Sequence, residues 1–479
     1  MSEQPDEVVT PEPGETVSHD IPMAEHLQHA IAADWDPAPP MPHPARADGA
    51  PSAAAHRAAL SREFPGQLVV VAAGAYKVRA NDTDFPFRAD SSFTWLTGET
   101  VADSVLVLTP SGQGHDATLY VGVYAQPGEV GYFTSRTHGA VWVGNVPSTG
   151  DTEAALAVRT RPLRDLDHDL ARFADAPRPD GSELARVLDE LRLIKDDWEL
   201  DRLRYACEAT ARGFADVVRE LPNVVGRSDL RGERWLEGTF WRRARLEGNE
   251  VGYTSIVGTG RHATTLHWWR NNGAVEPDGL LLADMGIETD ELYTADVTRT
   301  MPVSGQWSPD QLRVYRAVQE AQAAGVAEVK AGAEFLAAHN AAMWVLADHL
   351  HSWGVLPVPA EVSCDPDPER PGAGLHRRYT LHGTSHMLGI DVHDCANARS
   401  ELNRDGTLIA GHCLTVEPGL YFQVNDKTVP AELQGIGVRI EDDVVVTDGE
   451  AINLSAGLPR EPDEITAWMR EVQGMPAVP

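Results

Sequence analysis

The sequence predicts an α+β protein, preceded by a smaller α/β domain and a disordered N-terminal extension. Three observations carry this expectation. The chain has 479 residues, more than one ordinary core holds and about right for two or three domains. In its second half, amphipathic helices are followed by strand-like runs instead of alternating with them, which argues against a doubly wound sheet. Residues 1–55 hold ten Asp/Glu, one Arg and ten Pro, a stretch that cannot bury enough apolar area to offset its ordering entropy.

Within that acidic, Pro-rich extension, the spacing of His26, Leu27, Ala30 and Ile31 allows a short helix around Ile21–Ala33. Residues 56–180 read as the smaller α/β domain. Gln67–Ala73, Ser104–Thr109 and Thr118–Val123 are short β-branched or apolar runs bounded by turn formers. Phe93, Trp95 and Leu96, ahead of Gly98, read as packing residues. The Ala-Asp-Ala-Pro-Arg-Pro-Asp-Gly segment at 174–181 is a turn-rich linker. Residues 185–460 form the larger domain. In Trp198–Leu221, Leu200, Leu203, Cys207, Phe214, Val217 and Leu221 share one helical face. Ser308, Pro309 and Gln311 spell an N-cap, a first-turn proline and a capping box. Strand-like runs follow at Leu414–Val416, Val438–Ile440 and Val444–Thr447. Residues 461–479 are set apart as a C-terminal tail.

The charge balance excludes some partners. With 40 Lys+Arg against 72 Asp+Glu, the formal net charge is -32, so nucleic acid and anionic membranes are expected to be repelled. No stretch approaches the roughly 20 apolar residues needed to cross a bilayer. The acidic, polar N-terminus does not read as a signal peptide. Cys207, Cys364, Cys395 and Cys413 show no CxxC spacing and fit free thiols, so a cytoplasmic location is expected.

Four acids stand out in the larger domain. Asp284 ends an apolar run, Leu280–Met285, and Asp296 lies within Leu292–Thr300. The polar Glu288-Thr289-Asp290-Glu291 between them is turn-like, which predicts a hairpin with the two carboxylates as cross-strand neighbours, about 4.5–5.5 Å apart. Carboxylates that close repel unless a cation lies between them. Glu417 follows Leu414 and Val416 with opposite alternation, and Glu441 does the same after Val438 and Ile440. Histidines cluster between these runs, at His382, His386 and His393. Singly, each is an ordinary turn, salt-bridge or core residue. Together, four acids and one imidazole supply mostly hard oxygen donors, suited to Mn²⁺ or a related divalent ion. Four carboxylates are many for one open ion and suit two ions roughly 3.5–4 Å apart, which indicates a two-metal hydrolase.

At these residues the sequence resembles the metal-dependent aminopeptidase P and prolidase family. The matching segments are Asp284-Met285-Gly286, Tyr293–Thr300, His382–Asp394, Thr415–Gly419 and Gly437–Asp442, in the family's order. The spacing from Asp284 to Asp296 is one residue longer than usual, and Met285 stands where Ala is commoner. The resemblance implies a pita-bread fold around two divalent ions, most simply Mn²⁺, with Co²⁺ or Zn²⁺ as alternatives. It implies Asp284, Asp296, His386, Glu417 and Glu441 as ligands, with Asp296 and Glu441 bridging. It also implies release of the first residue from peptides with proline second, by a metal-bridging hydroxide. Glu417 would handle the proton, His393 would stabilise the oxyanion, His267 would position substrate, and His382 would line the proline side. Arg439 would orient a ligand from behind, and Trp268 and Trp269 are candidate walls. Relatives of this kind are commonly homodimers or homotetramers. Prolidase is the near alternative. Methionine aminopeptidase, a metal-free creatinase-like hydrolase and a non-enzymatic peptide binder are more distant ones.

Overall fold

The structure, a computed structural model, describes residues 23–36, 45–81, 83–112 and 114–474, and falls into two compact units, 1–180 and 181–479. Much of the extension read as disordered, residues 1–22 and 37–44, lies outside the described residues, as do 475–479 of the tail.

In the first unit, the helix anticipated around Ile21–Ala33 spans Glu25–Ala32. A longer helix, Ala50–Glu63, has Pro51 in its first turn, where a missing N–H costs nothing. The sheet orders Val69–Ala72, Val105–Ser111, Gly114–Val121 and Arg159–Pro162 side by side. The first three strands are antiparallel and the last pairs in parallel. Phe93, Trp95 and Leu96 are buried in the helix Ser91–Thr97. Asp90 caps it by accepting the Phe93 N–H at 2.9 Å. Gly98 ends it at φ 72°, a left-handed turn that favours glycine.

In the second unit the long amphipathic helix is Asp197–Val224. Asp196 and Glu199 form its capping box, and Leu203, Cys207, Phe214, Val217 and Leu221 form its buried face. It packs against Gly232–Glu247. The helix expected from Ser308 spans Pro309–Ala327, with the Ser308–Gln311 capping box in place, and packs against Leu336–Ser352. Residues 462–474 form another helix, Pro462–Gly474, which buries Ile465, Met469 and Val472.

Three of this unit's short antiparallel sheets carry or flank the four acids. Leu280–Met285 lies between Ile256–Thr259 and Val297–Pro302. Cys413–Val416 pairs with Asp442–Val445. Gly419–Tyr421 pairs with Gly437–Arg439. The hairpin expectation needs correcting in register. Asp284 faces Thr298 and Ile256 across its neighbours, and Asp296 lies just before its strand, whose Val297 pairs with Met285. The polar stretch between the two acids is not a plain turn. Ile287–Glu288 pairs with Glu250–Val251, and Glu288 bridges to Thr294. Leu292 takes a left-handed φ of 70° to bring the chain back. Glu417 and Glu441 also lie just beyond strand ends, next to the paired Val416 and Asp442. Asp296, Glu417 and Glu441 therefore lie where ladders stop, while Asp284 lies inside its ladder, one residue before its strand ends.

Among the described residues, no helix is long and apolar enough to cross a membrane.

Candidate metal centre and active site

A cavity of about 1070 Å³ opens beside these ladder ends. Every sequence-predicted site residue lines it: Asp284, Asp296, His386, Glu417 and Glu441, with His267, His382, His393 and Arg439. Ligand atoms of Asp296, His386 and Glu441 lie within 4.8 Å of one another. Trp269 lines the cavity, whereas Trp268 packs with the Ile256–Ala263–Leu282–Tyr421 cluster beneath it.

Each donor is held from behind. Asp284 Oδ1 accepts the Tyr253 hydroxyl at 2.6 Å, and its Oδ2 accepts Arg439 Nη2 at 2.5 Å. The Asp296 N–H donates to buried Asp443 at 3.0 Å. Thr298 Oγ1 donates to Glu441 Oε2 at 2.6 Å and accepts Arg439 Nε at 3.1 Å. His386 lies in a segment laid along the strand Cys413–Val416. The Thr415 N–H donates to His386 O at 3.0 Å and the Glu417 N–H to Thr384 O at 2.8 Å. His386 Nδ1 lies 3.1 Å from Met387 O, so Nε2 faces Asp296 Oδ2 at 3.3 Å and Glu417 Oε1 at 3.6 Å. A backbone carbonyl on one ring nitrogen with the other aimed at carboxylates is how a metal-ligating histidine is oriented.

The electrostatics also fit a cation site. Burial raises Asp284, against the pull of Arg439. Burial and then the neighbouring Asp296, Glu417 and Asp284 hold Glu441 well above the carboxylate range. Burial pushes Glu417 up to about 7. Burial alone would raise Asp296, but His386, Tyr253 and Arg439 together outweigh it and the net direction is down. Burial would lower His386 too, yet Asp296 and Glu417 bring it up to about 9. Four carboxylates, three of them buried, here share one guanidinium and one imidazole as counter-charge. Hard oxygen donors in excess of positive charge fit two divalent ions.

His382 is fixed differently. Its Nδ1 donates to Gly383 O at 2.7 Å, so Nε2 accepts the Tyr421 hydroxyl at 2.7 Å, and Tyr421 in turn accepts Arg439 Nη1 at 2.9 Å. Burial and the nearby Arg439 push His382 down to about 3. It is a neutral group at ordinary pH. The His393 ring meets His386 edge-on at 4.4 Å, and it is lowered first by burial and then by His386.

Sequence reasoning missed Tyr253, Thr298, Tyr421 and Asp443. Thr298 lies two residues after Asp296, Tyr421 four after Glu417 and Asp443 two after Glu441, so a strict period of two from each acid would have pointed to them. Tyr253 carries no local signal.

The model of metallopeptidase family M24 matches residues 201–448. The chain belongs to that family. A second model, for the N-terminal domain of aminopeptidase P, matches residues 53–178. The chain is 49% identical to Xaa-Pro aminopeptidase 2 of Streptomyces coelicolor over 449 residues, 90% of this chain and 93% of the relative. It is 29% identical to the Xaa-Pro aminopeptidase of Escherichia coli, covering 86% of this chain and 96% of the relative. Among solved structures, zinc-substituted Escherichia coli aminopeptidase P in complex with product matches with a TM-score of 0.77 at 26% identity, covering 90% of this chain and all of that one. The M24 chain thus has the pita-bread catalytic domain behind an aminopeptidase P-type N-terminal domain. It is a metallopeptidase, and the donor set lining the cavity fits divalent ions.

Proposed function

We propose that this M24 protein is an Xaa-Pro aminopeptidase whose catalytic centre is the carboxylate-lined cavity. The observation that carries the reading is the convergence of Asp296, His386 and Glu441 on one point, with Asp284 and Glu417 on the same wall. In this reading those five side chains would hold two divalent ions. The oxygen-rich donor set favours manganese. When bound, such ions lower the pKa of a shared water, so that hydroxide is available near neutral pH.

The remaining steps belong to side chains of this chain. Glu417, a carboxylate on the cavity wall beside His386, is placed to take a proton and give it back, here to the departing proline nitrogen. His393 lies beside His386 on the open side of the cavity, where it can donate to the carbonyl oxygen as charge develops there. His267 and Trp269 face the same space and position the peptide. His382, held neutral and fixed through Tyr421, lines the proline side. An Xaa-Pro bond is a tertiary amide without an N–H, so a site that holds the peptide by side chains and metal, and needs no donor from that bond, can accept it. Self-association as a dimer or tetramer and a reducing, cytoplasmic setting for the four free thiols complete the proposal.

The test is release of the first residue from an Xaa-Pro-Xaa tripeptide, with and without chelator. Turnover that chelator abolishes and Mn²⁺ restores is the expected result. Cleavage of Xaa-Pro dipeptides alone would make the protein a prolidase, and turnover indifferent to chelator would remove the metal mechanism.

A further inference from the structure

We propose that Glu233 is a positioning residue for peptide binding, holding the 259–273 loop that presents His267 and Trp269 to the cavity. This rests on the aminopeptidase reading of that cavity. Glu233 lies in the first turn of the helix Gly232–Glu247, far in sequence from every candidate ligand, and is completely buried.

Its carboxylate is saturated. Oε1 accepts the Thr259 N–H at 2.9 Å and His262 Nδ1 at 2.8 Å. Oε2 accepts Trp268 Nε1 at 2.8 Å and the Gly273 N–H at 2.7 Å. A carboxylate offers about four lone-pair sites, and here all are used by donors from one loop. The Thr259 hydroxyl, 3.2 Å from Oε1, also reaches the Ala274 carbonyl at 3.0 Å. The Glu233 N–H donates back to Gly273 O at 3.1 Å, closing the grip on the loop's far end.

The loop is shaped around this group. A side chain at Gly273 would put its Cβ 2.7 Å from Glu233 Oε2 and 2.7 Å from the His262 ring, so glycine is required by close approach. His262 stacks on Trp268 at 4.0 Å, which fixes the residue next to His267. One helical turn on, Glu237 accepts Asn271 Nδ2 at 2.8 Å, and Asn271 Oδ1 accepts the Val257 N–H at 2.9 Å. The two acids of one helix face therefore hold both ends of the loop. His267 and Trp269, two of its exposed members, are placed by anchors on either side.

Glutamine at 233 would keep one oxygen and turn an NH₂ toward two donors, leaving them buried and unpaired. The experiment is a cycle of Glu233→Gln, His267→Ala and the double variant, read as kcat and KM on a tripeptide, with metal content and loop amide exchange measured on each protein. Glu233→Gln is expected to lower kcat/KM on the order of 100-fold with KM raised, bound metal unchanged, and whichever of the Thr259 and Gly273 amides faces the new NH₂ exchanging at least about tenfold faster. In the His267→Ala background the same change should cost no more than about tenfold, because part of its effect passes through that side chain and the rest through Trp269. A multiplicative loss in the double variant, or loss of metal, overturns the proposal. If Glu233→Gln does not fold, Trp268→Phe takes its place under the same criterion, since it removes one donor and keeps an aromatic ring. Turnover by the wild type judges the aminopeptidase reading separately, and unchanged exchange at Thr259 and Gly273 in an inactive protein would sink the loop argument alone.

Discussion

Thr298 and Glu441 are locked together twice: the Thr298 hydroxyl donates to Glu441 Oε2 at 2.6 Å, and the Glu441 N–H donates to Thr298 O at 3.1 Å. With Thr300 Oγ1 donating to Arg439 O at 2.9 Å, this pair joins the ladder that carries Asp284 to the segment that carries Glu441. Thr298→Val keeps the shape and removes both the donor to Glu441 and the acceptor for Arg439 Nε. Equilibrium unfolding should show a loss of about 1–3 kcal/mol, and metal should bind about 10- to 100-fold more weakly. Thr298→Ser should recover most of both, and equal losses in the two variants would show that the hydroxyl is not what matters.

Asp296→Ala and Glu441→Ala remove two of the proposed ligands. Turnover on a proline-second tripeptide should fall below detection, with bound metal lost and the far-ultraviolet circular dichroism near that of the wild type. Near-native rates in either variant would contradict the ligand assignment.

Asp394 sits between Arg192 and Lys195, with Lys195 Nζ at 2.9 Å and all three side chains buried. Burial alone would raise its carboxyl, but Arg192 and then Lys195 outweigh that and hold it down at about 2. A depressed carboxyl stabilises the folded state above its unfolded pKa of about 3.9, and the contribution fades as pH falls through about 2. In denaturant titrations the wild type should lose about 2 kcal/mol from this group between about pH 5 and pH 1. Asp394→Asn should lack that component and be less stable at neutral pH by about 3 kcal/mol, because buried Lys195 loses its carboxylate partner while Arg192 keeps Asp189 and Asp391. A parallel pH slope in both proteins would reject the assignment.

Ser308→Ala tests a feature remote from the cavity. The Ser308 hydroxyl accepts the Gln311 N–H at 3.2 Å, and Gln311 Oε1 accepts the Ser308 N–H at 3.0 Å. Loss of the cap should cost about 1 kcal/mol in unfolding experiments and leave kcat/KM on a tripeptide within about twofold.

Much of this protein was legible in one dimension. The capping box at Ser308, the buried stripe from Leu203 to Leu221 and the acids at the ends of apolar runs depend on neighbours a few residues away, so local spacing reveals them. Which acids belong together was carried by the resemblance of five ordered segments, with no single spacing sufficient. The tertiary structure decided the rest. Pairing Asp284 with Thr298 instead of Asp296 is a choice of strand register, which alternation alone leaves open when every residue of both strands is buried. Arg439 reaches Asp284 across 155 residues of chain, and Glu233 gathers donors from 26 to 40 residues away. Contacts of that span exist only once the backbone has closed, so the supports behind the metal ligands and the substrate loop could be seen only in the folded chain.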